Sequence, residues 1–250
     1  DDFIAQYPDD PLSLKAEELQ SLLDFGSIGE LALPSGDTIR YEGQLDARIP
    51  DGVGKAQFIN GQVYDGLWRA GSMEGQGTLS YPDGGEFVGT FDNGERIKGI
   101  QRTANGAEFN GSWKDGKLND DGSARWPDGS RYVGEWRAGK FYNYGTFKAG
   151  KSARDHVFRT DWQAGASYTG NWRNNHREGQ GTFTSSDGTV CIGQWKNDLL
   201  HGKPGTLKWP DGSSFRGVWE NGRINGPGTY VDRFGNDFKG NWKATPENIT

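Results

Sequence analysis

The sequence predicts an all-β protein, an elongated single-layer antiparallel meander of repeated β-hairpins with a short N-terminal helix capping one end. Three observations predict it. An aromatic slot recurs at Tyr41, Tyr64, Phe87, Phe109, Tyr132, Tyr168, Phe215 and Phe238, with Cys191 standing in the same slot. The steps are 23, 23, 22, 23, 36, 23, 24 and 23 residues, and a fixed period of that size marks a repeat architecture. Hydrophobic residues are only 32% of 250, yet 10 Trp, 9 Tyr and 13 Phe recur in register, so regularly spaced aromatics replace a large mixed core. The 40 glycines are about twice ordinary usage, and most fall at fixed places in the repeat.

Residues 1–28 form an N-terminal segment. Its first 11 residues are acidic and extended, and residues 12–25 read as a helix. Pro11 suits a first helical turn, and Leu12, Ala16, Leu19 and Leu23 share one face. Gly26 is the expected stop. Two readings of this helix stand: a cap on the open end of the array, and a helix that docks a partner. The repeat array spans 29–243, and Gly29 to Gly36 matches the second half of a repeat.

The unit is clearest from Tyr64 to Gly84. Tyr64, Gly66 and Trp68 lie two apart and so share one face of a strand. Arg69-Ala70-Gly71 turns the chain; Gly77, Leu79 and Tyr81 return it with the same period; Pro82-Asp83-Gly84 turns it into the next unit. The turn residues are those that turns require for backbone reasons. The strand-interior glycine of Gly66 and its equivalents is costly in a strand, and the expectation is that aromatics of the adjacent strand lie across it. Trp fills the fifth slot in seven of nine units; Leu45 and Phe91 fill the other two. The 36-residue step places 13 extra residues at about 145–165. They read either as a degenerate unit or as a functional loop carrying Lys148, Lys151, Arg154 and His156. Residues 244–250 form a polar tail.

The skeleton Y-x-G-x-W-x-x-G-x-x-x-G-x-G, repeated at 23 residues over about 41–243, resembles the MORN (membrane occupation and recognition nexus) repeat. The resemblance implies a twisted single-layer sheet with an aromatic-lined groove. It also implies a tether or scaffold linked to partner proteins, self-association and phospholipid membranes. Cys191, the 22- and 24-residue steps and the stretch around 145–165 depart from the pattern.

No catalytic, cofactor-binding or metal-ligating constellation is found. His156, His176 and His201 sit in no metal spacing. The G-x-G pairs are followed by strands, whereas a phosphate cradle requires a helix. Cys191, the one cysteine, reads as a packed thiol. A net charge of −6 argues against a nucleic-acid partner, and no apolar run approaches a membrane span.

The expected function is therefore a non-catalytic scaffold that binds a partner protein through an aromatic groove. Its candidate residues are Tyr64, Trp68, Trp113, Tyr132, Trp136, Tyr168, Trp172, Trp195 and Trp219, because Trp and Tyr dominate binding hot spots. The slot after the Trp is often basic, at Arg69, Lys114, Arg137, Arg173 and Lys196, giving a basic edge opposite the Asp-bearing turns. That edge supports a second reading, peripheral binding to an anionic phospholipid surface. A third is carbohydrate stacking on exposed Trp and Tyr. Exposed sheet ends also permit self-association. The missing initiator Met fits removal of a targeting segment, so an exported, periplasmic protein is expected, with a cytoplasmic protein peripheral to a membrane as the alternative.

Overall fold

The computed structural model describes residues 26–151 and 163–243. The helix expected over 12–25 and the polar tail lie outside the described residues. The chain divides into two units, 1–104 and 105–250.

In the first unit, seven strands follow one another: β1 (Gly26–Ala32), β2 (Thr38–Asp46), β3 (Ile49–Phe58), β4 (Val63–Arg69), β5 (Ser72–Ser80), β6 (Glu86–Asp92) and β7 (Glu95–Arg102). Each pairs antiparallel with its sequence neighbour. Gly26, read from sequence as a helix stop, begins β1. The second unit continues the scheme with β8 (Glu108–Lys114), β9 (Lys117–Arg125), β10 (Arg131–Arg137), β11 (Lys140–Lys148), β12 (Ser167–Arg173), β13 (His176–Thr184), β14 (Val190–Lys196), β15 (Leu199–Lys208), β16 (Ser214–Glu220), β17 (Arg223–Val231) and β18 (Asp237–Lys243). These too are antiparallel meanders.

Two kinds of turn alternate. The turn after the Trp strand places two consecutive residues at positive φ, as at Ala70 (47°) and Gly71 (81°), the geometry whose twist matches that of a hairpin. Asn, Asp and Gly meet this demand at most repeats. Ala47, Ala70 and Ala138 (φ 47–49°) meet it at a steric cost of about 1–2 kcal/mol each. Such turns are also tied to the preceding hairpin. Gly71 N–H donates to the Pro50 carbonyl at 2.8 Å, Gly94 to Met73 at 2.9 Å and Gly139 to Leu118 at 2.9 Å. Side chains add to this tie: Asp51 accepts from Ala70 N–H at 3.0 Å, and Asn119 from Ala138 N–H at 3.1 Å. The opposite turns are closed by an Asp or Asn that accepts the N–H two residues on, as Asp83 does from Gly85 (2.9 Å) and Asp211 from Ser213 (2.9 Å). These hydrogen bonds, led by the Ser185 and Ser213 hydroxyls, hold the Asp187 and Asp211 carboxyls below the usual carboxylate range.

The G-x-G of the return strand has two distinct jobs. Its first position is a bulge at positive φ (Gly75 57°, Gly179 64°), filled by Asp120 (58°) and Asn143 (49°) where glycine is absent; Asp and Asn tolerate this region best among non-glycines. Its second position lies beneath a ring. A Cβ on Gly181 would fall 2.1 Å from the Tyr168 hydroxyl oxygen and 2.3 Å from its ring. At this position the aromatic comes from the adjacent strand, an arrangement the sequence predicts at the opening glycine instead. At the opening glycine, by contrast, the pressure comes from its own strand's tyrosine and the facing backbone: a Cβ on Gly66 would meet Tyr64 Oη and Gly77 Cα, each at 2.6 Å.

The irregular step is closed at its base. Lys148 pairs with Ser167 in the β11–β12 ladder. Ala149 N–H donates to the Ala166 carbonyl at 2.8 Å, and Gly165 N–H to the Ala149 carbonyl at 3.0 Å. Among the described residues no strand intervenes between β11 and β12, and residues 152–162 of the extra stretch lie outside the described residues.

Candidate partner-binding face

Alternation along each strand puts the Tyr/Phe and Trp slots on one face of each unit. In the first unit Tyr41, Tyr64, Trp68, Phe87 and Phe91 are at most 3% exposed. Tyr64 meets Trp68 edge-on at 5.2 Å and Phe91 at 5.0 Å. In the second unit Tyr132 stacks on Phe141 at 3.8 Å, and Phe141 lies between Trp136 (4.9 Å) and Trp172 (5.3 Å). Tyr168 bridges Trp172 (4.9 Å) and Trp195 (5.5 Å), and Phe215 meets Trp219 at 5.9 Å.

The polar tips of these rings turn into the sheet. Tyr64 Oη donates to the Leu67 carbonyl (2.9 Å), Tyr132 Oη to Glu135 (3.0 Å) and Tyr168 Oη to Asn171 (3.1 Å). Trp68 Nε1 donates to the Gly54 carbonyl (3.1 Å), Trp172 to Gly145 (3.1 Å) and Trp195 to Gly181 (3.0 Å). Trp136 and Trp219 are placed alike, but their buried indole N–H groups have no acceptor among the described residues. Burial pushes the Tyr41 and Tyr64 hydroxyls up to about 12 and raises Tyr132 and Tyr168 further.

All nine groove residues expected from sequence lie on this face, and Trp113, the most exposed of them, is 9% exposed. They form the floor of each unit's aromatic face. Sequence reasoning missed two further sets. One is the residue opposite each Trp: Met73, Leu118, Phe141, Arg177, Leu200 and Ile224. Its signal is a side chain five residues after the Trp. Arg177 brings a charge into this set. It is 1% exposed, lies 4.4 Å above the Trp195 ring, and pairs at 3.6 Å with Asp198, itself 2.5 Å from His176 Nδ1. The other set is the aromatic that precedes a P-D-G turn. Tyr81, Trp126 and Trp209 are half-buried on the aromatic face, Trp126 beside Phe109 (5.9 Å) and Trp209 beside Tyr230 (6.0 Å).

Arg69, Lys114, Arg137, Arg173 and Lys196 all stand exposed at hairpin ends. In the first unit the same slot also holds Asp46 and Asp92, and Arg69 meets Glu74 at 3.4 Å, so charge there is mixed. In the second unit Lys114, Arg137, Arg173 and Lys196 follow in successive Trp strands, with Lys114 opposite Lys117 and Arg137 opposite Lys140. Cys191 is half-buried and forms no disulfide among the described residues. Among the described residues no three His, Cys, Asp or Glu side chains are placed to hold a metal ion, and no helix is long and apolar enough to cross a membrane.

Tandem two-stranded units, a ring-covered glycine in each and one aromatic face define a β-hairpin repeat protein. The chain belongs to the MORN repeat family, whose repeat matches residues 64–86, 109–131, 132–151, 168–190, 191–214 and 215–233. None of the curated proteins compared with the chain matches it. Among solved structures it is similar to a point mutant of the TCP10 domain of Danio rerio CPAP, at 16% identity, TM-score 0.30, 86% of this chain and 99% of that one. It is also similar to the G-box domain of the microcephaly protein CPAP (14%, 0.27, 85% and 97%). A third is the SAS-4 TCP domain of Drosophila melanogaster in complex with a proline-rich motif of Ana2 (11%, 0.26, 76% and 89%). At these TM-scores the likenesses carry no argument about function.

Proposed function

We propose that this chain is a non-catalytic repeat scaffold that binds a partner protein along its aromatic face. The observation that carries the reading is the half-buried aromatic set of the second unit, Trp126, Trp209 and Tyr230. These rings lie on the same face as the buried floor and keep surface for a partner. Large aromatics of this kind supply most of the energy at protein interfaces. The floor residues, Trp113, Tyr132, Trp136, Tyr168, Trp172, Trp195 and Trp219 in that unit and Tyr64 and Trp68 in the first, set the shape of the face. The exposed cations Lys114, Arg137, Arg173 and Lys196 steer an anionic partner by long-range attraction.

The test is capture from the native source on the parent chain and on a Trp126→Ser, Trp209→Ser variant, followed by titration of the purified partner. A discrete protein held by the parent and released by the variant, with the variant's far-UV spectrum unchanged, supports the reading. Equal retention by both removes the aromatic face from the interaction. A parallel charge reversal of Arg137, Arg173 and Lys196 to Glu separates steering, which lowers the association rate and its salt dependence, from contact, which raises the dissociation rate. Binding only to anionic vesicles or to glycans, with no protein partner, overturns the scaffold reading.

A further inference from the structure

The face opposite the aromatic one carries a second cationic feature, apart from the hairpin ends. In the ladders β9–β10 and β10–β11, Arg131 stands directly opposite Arg125 on one side and Lys148 on the other. All three are exposed. No ion pair joins any of them to a carboxylate among the described residues. Glu108, opposite Arg125 on β8, and Ser167, opposite Lys148 on β12, bound the row. Directly opposite residues lie about 4.5–5.5 Å apart, and like charges in that relation oppose sheet formation. Three in a row is an arrangement the fold itself does not favour.

The surface beside the row is shaped as well. Two residues along β10 on the same face, Val133 is 60% exposed. With Asn110, Ser123, the backbone of Gly111, Gly122 and Gly134, and Asp121 at its far end, it lines a shallow open depression. One step further along the face, Asp121 stands opposite Glu135, so the potential changes sign along the strands.

We propose that the row Arg125–Arg131–Lys148 with the Val133 depression is a docking site for a phosphorylated, extended segment of a partner protein. Three long cationic side chains rooted at neighbouring ladder positions can converge on a single dianionic group, and guanidinium forks match phosphate oxygens in pairs. The depression takes a small apolar side chain next to the phosphorylated residue. The Asp121–Glu135 pair rejects further negative charge on that side and fixes the direction in which the segment runs. A membrane surface fits less well, because it would press its anionic headgroups on these two carboxylates too.

The test uses the full chain and a synthetic peptide library in which a central phosphoserine is flanked by varied positions, read by fluorescence anisotropy. Unphosphorylated and glutamate-substituted versions serve as references. The expected result is retention of the phosphorylated peptides alone, with an Arg131→Gln, Lys148→Gln variant binding them at least about tenfold more weakly, the order of a charge-assisted hydrogen bond. Val133→Asn keeps the phosphate dependence and loses the choice of apolar neighbour. Lys208→Gln and Arg216→Gln, cations elsewhere on the same face, leave binding unchanged. Because Arg131→Gln relieves like-charge repulsion, its Tm equals or exceeds the parent's, which separates lost binding from lost folding. Equal binding of the unphosphorylated peptides, equal loss in the Lys208 and Arg216 variants, or binding confined to phosphatidylcholine vesicles carrying a phosphoinositide each overturns the proposal.

Discussion

Two tryptophans on either side of one phenylalanine provide a direct test of how the aromatic face is held. Trp136 and Trp172 both contact Phe141 edge-on, at 4.9 and 5.3 Å, and both meet Tyr132, at 5.1 and 5.9 Å. They are 5% and 2% exposed. They share these two ring neighbours, while Trp172 also meets Tyr168 at 4.9 Å and stands opposite Arg177, and replacing either by Phe removes the same indole volume. Their N–H groups differ. Trp172 Nε1 donates to the Gly145 carbonyl at 3.1 Å, whereas Trp136 Nε1 is buried without an acceptor among the described residues. Trp172→Phe loses a buried hydrogen bond, while Trp136→Phe removes a buried donor that has no acceptor among the described residues. Leaving a buried polar group unsatisfied costs about 1–3 kcal/mol, so Trp172→Phe should be less stable than Trp136→Phe by about 2 kcal/mol. Urea unfolding of the full chain followed by far-UV circular dichroism, with the slope held common, reads this gap. Equal losses, or a larger loss at Trp136, would show that ring packing alone sets the cost and that the inward-turned N–H groups contribute nothing.

Four further outcomes follow from the geometry. Gly181→Ala drives a Cβ into the Tyr168 ring and should cost about 3 kcal/mol, at the upper end for overpacking, in the same urea experiment; a loss below about 1 kcal/mol, on the order of ordinary surface changes, would refute the ring-over-glycine account. Ala138→Asn, at φ 49°, should raise stability by about 1 kcal/mol, since Asn tolerates the left-handed region that Ala resists, with thermal melting as the check. Asp198→Ala removes the carboxylate paired with Arg177, and loss of one member of such a pair costs about 3–5 kcal/mol; a milder loss would mean that the ring contacts of Arg177 and its bond to the Asp198 main-chain carbonyl, which the substitution keeps, carry it. Raised hydroxyl pKa values at Tyr41 and Tyr64, to about 12, mean that the unfolded chain ionises first as pH climbs. Their stabilisation is whole below the ordinary value of 10 and drains away between 10 and 12, so the urea midpoint should fall in that window and fall less in Tyr64→Phe.

Much of the scaffold was legible because a strand's period of two and a repeat's period of 23 are both properties of sequence alone. Tyr64, Gly66 and Trp68 had to share a face, and the glycines had to lie under something large. What covers each glycine was not legible. Tyr64 leans along its own strand onto Gly66 and across the ladder onto Gly77, and only three-dimensional ring geometry decides that. The depth of burial was also hidden: Tyr64 and Tyr132 read as candidate contact residues and prove to be 0% exposed, because rings on successive strands cover one another. The accessible aromatics, Trp126 and Trp209, stood in plain view before P-D-G turns. Their position marks them as the end of a strand, where following rings such as Phe141, Phe147 and Tyr230 cover them only in part. The split between a mixed charge edge in the first unit and a basic one in the second could be counted from sequence, but the row at Arg125, Arg131 and Lys148 could not. Its members lie 6 and 17 residues apart and meet only through the β9–β10 and β10–β11 registers.

In a repeat protein the units are an internal mutational series, and departures from the common pattern separate structural from functional demands. A residue that the ladder requires recurs, so the Tyr slot, the ring-covered glycine and the Trp slot reveal stability and say little about a ligand. Several departures fall in the second unit. The bulge glycine is replaced by Asp120 and Asn143 and the cation on the aromatic face, Arg177, is fully buried, where the first unit carries the half-buried Arg96 over Phe87 and ends a strand on Tyr81 as the second does on Trp126 and Trp209. Three cations align across β9 to β11. None of these is needed to close a hairpin, and the like-charged row works against it, as does the Trp136 N–H beside the Asp120 bulge, which has no acceptor among the described residues. Under the scaffold reading proposed above, selection for a partner would account for a repeat array that keeps features that weaken it, and both faces of the second unit, rather than the aromatic floor alone, are where that reading is to be tested.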